Sequence, residues 1–255
     1  MFAIEKQLQF LKNKCMLRTV IFLQKNFECT TIKMKIELHI HTTGFSYCGK
    51  LSAAEIVERY SQAGFDAIVI TNHFNSISKQ WFLDNGGVDY HKSYFDTLRQ
   101  AEELGKKYGL LVLGGFELRF DENANDYLVY GMTPEQCLDY ENIFAMTPAE
   151  FGAFARENNI LFYQAHPFRN GMTVVAPEHL FGIEVLNTHP RHDSRNDIAL
   201  AWAEKYDLHK IAGSDCHQVQ DVGTSAIFTD HPVKNINDLV HVLKNDFYTF
   251  GENQK

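Results

Sequence analysis

From Met34 onward, short apolar runs alternate with amphipathic stretches, and nothing else in the sequence narrows the fold so far. Apolar runs too short for helices, separated by longer stretches of helical period, mark repeated β/α units and a mostly parallel sheet. Strands are predicted over 35–41, 66–72, 110–118, 126–131, 160–165, 182–187 and 209–214. Helices are predicted over 52–63, 90–108, 147–158 and 195–207, the first opened by Ser52 as cap with Glu55 three residues on. Seven strands in about 220 residues suit a barrel of the β/α type better than an open sheet, although strand order alone separates neither. The expected class is therefore α/β, and at 45% hydrophobic residues the chain has ample material for a single core.

The first 33 residues read differently: they are basic, lack Gly and Pro punctuation, and show only a blurred helical pattern. Residues 1–33 are expected to be an appendage, either a translated segment upstream of the natural start or an extra helix packed on the domain. Residues 34–255 are expected to form one domain of catalytic size.

Polar residues gather at the strand ends. His39 and His41 close the first strand one residue apart, so that strand alternation turns both to one face. "AIVITNH" brings His73 to the end of the second strand, "LVLGGFE" brings Glu117 to the third, and "LFYQAH" brings His166 to the fifth. "KIAGSDCH" places Asp215 and His217 after the last. Any one of these could be a satisfied structural residue, but in a parallel β/α fold the C-terminal strand ends share one face, and all seven should converge there. Imidazole with carboxylate suits zinc, manganese or iron, and seven donors exceed what one tetrahedral ion needs. About two to three divalent ions are implied, with Glu117 bridging two of them, an arrangement that favours hydrolysis at phosphorus.

Charge and cysteine usage narrow the partners. A formal charge of −8 argues against broad electrostatic binding to nucleic acid or anionic membrane, yet leaves room for a small anion held by metal ions. The five cysteines are scattered without a C-x-x-C pair, which fits a reducing cytoplasm. No apolar run approaches the roughly 20 residues of a membrane span, and the N-terminus lacks the features of a signal peptide.

The series "ELHIHT", "TNH", "GGFE", "AHPFR" and "AGSDCH", in this order over residues 34–220, resembles the PHP (polymerase and histidinol phosphatase) family of metal-dependent phosphoesterases. The resemblance implies a distorted (β/α)7 TIM-like barrel, a trinuclear metal centre and phosphoester hydrolysis, with a metal-bridging hydroxide as the nucleophile. It also implies that His39, His41, Glu117 and Asp215 hold one ion, Glu117 and His166 a second, and His73 and His217 a third. Where the family supplies a further His for the second ion, "NANDYLVYG" offers Asp126. Where it supplies a His or Asp for the third, "SYCG" offers Cys48, as a thiolate ligand or as a small buried residue. Asn72 stands where an Asp often precedes the second-strand histidine, leaving the orientation of His73 to be supplied otherwise.

A phosphate also needs donors beyond the metals. Arg169, three residues past His166, and Arg119, two past Glu117, begin near the pocket mouth and are expected to clamp it, unless each pairs with a carboxylate as surface arginines do. The segment "NTHPRHDSRND" adds His189, Arg191 and His192 as a substrate wall, while His91, His179, His209, His231 and His241 receive no site role. The expected substrate is a phosphomonoester or short nucleotide, because no basic stripe with interleaved aromatics is present to hold a long strand. Two rivals stay open: an amidohydrolase, which also starts from H-x-H but commonly uses a bridging Lys, and a metal-binding module without catalysis.

Overall fold

The computed structural model describes residues 33–252; the appendage expected over 1–33 therefore lies, but for Lys33, outside the described residues. Among the described residues, eleven strands form two sheets. In the first, β1 (Met34–Ile40) lies between β10 (Ser225–Thr229) and β2 (Ala67–Ile70), with β11 (Thr249–Glu252) and β4 (Leu111–Gly114) at the edges. The second runs β3 (His73–Phe74), β5 (Phe116–Leu118), β6 (Tyr127–Tyr130), β7 (Leu161–Gln164), β8 (Gly182–Asn187), β9 (His209–Gly213).

Each predicted strand is present, but two are interrupted. The expected strand 66–72 stops at Ile70 and resumes as β3, and the expected strand 110–118 breaks at Gly115. The breaks carry the chain from one sheet to the other, with Gly115 donating to the Ile70 carbonyl (2.9 Å) and Glu117 to that of Asn72 (3.0 Å). At the other seam β1 meets the end of β9 through a single parallel bridge, Ile40 with Cys216. The result is an α/β fold of two mixed sheets rather than one continuous seven-stranded barrel.

Among the described residues, helices α1 (Ala53–Gln62), α3 (Tyr90–Tyr108), α5 (Pro148–Glu157) and α6 (Asn196–Lys205) answer to the four expected, and α2 (Ser76–Asp84), α4 (Tyr140–Ala145) and α7 (Ile236–Lys244) were not anticipated, nor were β10 and β11. Ser52 caps α1 in the expected capping box with Glu55. Ile56, Val57 and Tyr60 of α1 pack with Ile68 and Ile70 of β2 in the larger hydrophobic cluster. Ile36, Leu38, Val69, Leu128, Leu161 and Ile211 belong to a second cluster on the other side of the strands.

Candidate metal centre

The cluster depends on two irregularities. Along β1 and β2 the pairing steps from Glu37–Ile68 to Ile40–Ile70, so that β1 carries one extra residue. Such a bulge turns subsequent side chains to the other face. Here it places His39 and His41 on the same side as Ile36 and Leu38, although strict alternation would separate them. Ile40 joins the α1 side, where Glu37 also meets the Tyr60 hydroxyl at 3.4 Å. In β8 the register against β9 shifts between Glu184 and Leu186, which lets Glu184 and Asn187 turn to each other, the Asn187 amide donating to Glu184 at 2.9 Å. Gly213 of β9 then passes so near that a Cβ would come within 2.4 Å of His39 Cβ and 2.8 Å of Glu184 Oε1. Only glycine fits there.

His39, His41, Glu117 and Asp215 meet with no appreciable exposure. His39 Nε2 lies 3.1 Å from His41 Nε2, 3.2 Å from Glu117 Oε1 and 3.5 Å from Asp215 Oδ1. His41 Nε2 lies 3.3 Å from both Glu117 Oε2 and Asp215 Oδ1. Donors at about 2.1 Å from a tetrahedral ion are about 3.4 Å apart. His39, His41 and Glu117 therefore group at the spacing of metal ligands, and Asp215 stands at that spacing from both imidazoles. Glu117 reaches further with each oxygen: His166 Nε2 stands 3.1 Å from Oε1, and His73 Nδ1 2.7 Å from Oε2. His73 Nδ1 and Glu117 Oε2 nevertheless lack hydrogen-bond geometry, as does the buried His166 Nδ1. Buried polar atoms without partners call for an ion or a water, and this donor set fits divalent transition metals.

Other groups aim the imidazoles. Glu184 holds His39 Nδ1 at 2.9 Å, Ser46 Oγ holds His41 Nδ1 at 2.9 Å, and the Asp215 carbonyl holds His217 Nδ1 at 2.7 Å, leaving each Nε2 for the cluster. Asn72 does not orient His73 directly. Its Oδ1 accepts from the Ser46 hydroxyl (3.1 Å) and the Thr42 amide (2.6 Å), and Ser46 in turn accepts from the His73 backbone at 3.0 Å. Glu184, Ser46 and Asn187 were missed by sequence reasoning; an acidic residue inside the apolar run "GIEVLN" was the available signal for Glu184.

Burial alone would push the Glu117 and Asp215 carboxyls up, but the imidazoles around them hold both well below the ordinary range. Burial, with His217 and His73 nearby, lowers His41 and keeps it neutral, with a lone pair to offer. His39 moves the other way: burial opposes its charge, and Asp215, Glu184 and Glu117 outweigh that.

Cys48 is placed among ligand types rather than in apolar packing. Its Sγ lies 3.0 Å from His217 Nε2 and 3.2 Å from His73 Nε2, and these atoms together with a donor of His41 fall within 4.8 Å of one another. Burial would raise the thiol, but bonding to His217 and His73 brings it down to about 7. Asp126 reaches the cluster from an unexpected direction. β6 runs antiparallel to both neighbours, so the residue before its start, not the one after its end, lies at the shared rim. Asp126 groups with His73 and Glu117, while both its oxygens accept from Arg119 at 2.7 Å.

Each expected phosphate clamp is engaged by a carboxylate: Arg119 by Asp126, Arg169 by Asp215 at 2.8 Å, and Arg191 by Asp221 at 2.6 Å. Arg169 also donates to Asn187 and Ser194. His189 packs edge-on to His217, with ring centres 5.1 Å apart, and stacks on His192. Arg119, Arg169, Arg191, His189 and His192 line a cavity of about 470 Å³ above the cluster. A larger one of about 620 Å³, between α3, β4 and residues 234–237, contains no histidine or cysteine. His166 and Asp215 both take positive φ, +29° and +51°. For His166, directly before Pro167, that conformation is strained, and such strain concentrates at functional sites.

The PHP-associated family matches residues 193–246, from the loop before α6 to the end of α7. A search of curated proteins finds no match. Among solved structures, a two-domain protein containing a predicted PHP-like metal-dependent phosphoesterase from Bacteroides vulgatus ATCC 8482 superposes with a TM-score of 0.62 at 22% identity, over 86% of this chain and 64% of that one. The chain thus spans less than two thirds of that relative's length. PsfC from Pseudomonas syringae PB-5123 gives 0.55 at 16% identity, over 82% of this chain and 88% of that one. The lesion-specific endonuclease PfuEndoQ from Pyrococcus furiosus gives 0.57 at 14% identity, over 84% and 56%. At these identities the likeness is one of fold. The PHP-associated segment and the fold shared with a PHP-like neighbour agree with the family that the motif series from "ELHIHT" to "AGSDCH" resembles.

Proposed function

We propose that the protein is a metal-dependent phosphoesterase that hydrolyses a phosphomonoester or short nucleotide, in a distorted (β/α)7 barrel whose seam lies between β1 and β9. The supporting observation is the grouping of His39, His41 and Glu117 at ligand spacing, with Asp215 within 3.5 Å of both imidazoles, buried beneath a cavity. In this reading they hold one ion, Glu117 and His166 a second with Asp126 at hand, and His73, His217 and Cys48 a third. Divalent ions such as zinc, manganese or iron, when bound, supply the Lewis acidity that activates water and offsets charge on the phosphoryl oxygens.

The protein's own part is positioning. Glu184 and Ser46 fix the ring planes of His39 and His41, and Arg169 fixes the Asp215 carboxylate. Asp215 and Glu117 remain ionised because of the surrounding imidazoles, so neither donates a proton to the leaving group near neutral pH.

Metal analysis of the purified protein should give about two to three equivalents of transition metal, as multinuclear hydrolytic centres do. A panel of phosphorylated metabolites should then yield inorganic phosphate that takes its label from ¹⁸O-water. A metal-loaded protein that hydrolyses no phosphoester would overturn the reading.

A further inference from the structure

The loop between β1 and α1 shapes one wall of the cavity and carries two groups without a role so far, Tyr47 and Lys50. It is firmly held: Thr43 donates to the Leu51 carbonyl at 2.8 Å, Gly49 to Ser46 at 2.9 Å and Lys50 to His217 at 2.7 Å. At Gly49 a Cβ would lie 2.8 Å from the Thr42 carbonyl, so the turn closes only around glycine. Tyr47 is 46% exposed at the cavity, its ring stacked on His73 with centres 5.6 Å apart and planes 21° apart. Of the Lys and Arg side chains lining the cavity, Arg119, Arg169 and Arg191 are each paired with a carboxylate. Lys50 is exposed and, among the described residues, forms no ion pair.

We infer that Tyr47 and Lys50 recognise a nucleotide, the base stacking on Tyr47 and the phosphate meeting Lys50. This rests on the phosphoesterase reading for the phosphate's final position, but not for the stacking. An aromatic ring held half in water by a rigid loop offers a base a flat apolar surface without an ordering cost, and every base has a face to match it. A sugar phosphate would use only the ammonium. The nucleotide could be free or stand at the end of a short strand, and the chemistry at Tyr47 is common to both.

Calorimetric binding to the metal-loaded full chain would use non-hydrolysable 5′-phosphonate analogues of AMP and of ribose 5-phosphate, with a 5′-phosphonate tetranucleotide as the third ligand. The AMP analogue should bind about tenfold more tightly than the ribose analogue, the effect of one stacked base. Tyr47→Ala should abolish that preference, Tyr47→Phe should keep it, and Lys50→Gln should weaken all three ligands together. A tetranucleotide bound more tightly than the AMP analogue would identify a strand end as the source, and the reverse a free nucleotide. Equal affinity for the AMP and ribose analogues, a preference that survives Tyr47→Ala, or no binding would overturn the inference. A base preference without hydrolysis of any phosphoester would count against the phosphoesterase reading and leave this one standing.

Discussion

Glu184 shows how much of a metal centre lies behind its ligands. Its carboxylate holds His39 Nδ1 and also accepts from the His166 amide at 3.0 Å, so one buried side chain positions two imidazoles. Glu184→Gln keeps the shape but weakens both bonds, and metal affinity should fall about 10- to 100-fold while the fold is retained. Titration with a competing chelator checks this, and unchanged affinity would reduce Glu184 to packing. Arg169 invites a sharper test. As a substrate clamp, Arg169→Ala would spare metal content. Bound to Asp215 as it is, the same substitution should release that carboxylate and cost about 10-fold or more in affinity, whereas His166→Ala should empty one position outright. Full occupancy with lost activity in Arg169→Ala would restore the clamp. The cluster itself was legible because strand-end histidines and acids are conspicuous in an apolar background. Carboxylate partners of the arginines were not, since Asp126, Asp215 and Asp221 lie 7, 46 and 30 residues from theirs.

At the scale of elements, legibility followed the length of the period. Helix α3, with Asp89 at its start and Gly109 in the left-handed conformation at its end, was predicted to the residue because 19 positions repeat one pattern. The short helices α2 and α4 were not, for six or nine residues carry too little period. Bulges leave no mark at all in the sequence. Simple alternation brings His39 and His41 to one face but would put Glu37 beside them, and only the extra residue in β1 sends Glu37 behind, where Oε1 accepts from the Leu38, His39 and Ser214 amides. Burial, eased by those bonds, raises this carboxyl to about 7. The cap of α1 tests the legible side of the account. Ser52→Ala removes the acceptor for the Glu55 amide and should cost about 1 kcal/mol, read as a lower urea midpoint at unchanged slope. No shift in midpoint would mean that packing of Ile56, Val57 and Tyr60 alone fixes the start of the helix.

Over the whole molecule, the two sheets are tied together at β1. This strand is central in its sheet, hydrogen-bonded to β10 and β2, and its last residues bridge to the end of β9, with His41 donating to the Cys216 carbonyl at 2.9 Å. Among the described residues, no helix is long and apolar enough to cross a membrane. Among the described residues the first paired one is Met34, opposite Thr229, and its sulfur receives the Val233 amide at 3.1 Å. A chain beginning at Met34 keeps every strand of the described residues and every residue of the candidate centre, and should match the full chain in melting temperature and metal content. One beginning at Leu38 forfeits the pairs of Met34, Lys35 and Ile36 with β10 together with Glu37, which joins β1 to the β9 end. Buried N–H groups left without acceptors cost about 1–3 kcal/mol each, enough in sum to exceed the margin of a typical domain. Circular dichroism melts of the two chains decide the matter: cooperative unfolding at the full-length temperature for the first and no folded baseline for the second are expected. A lowered melting temperature in the chain from Met34 would make residues 1–33 part of the fold.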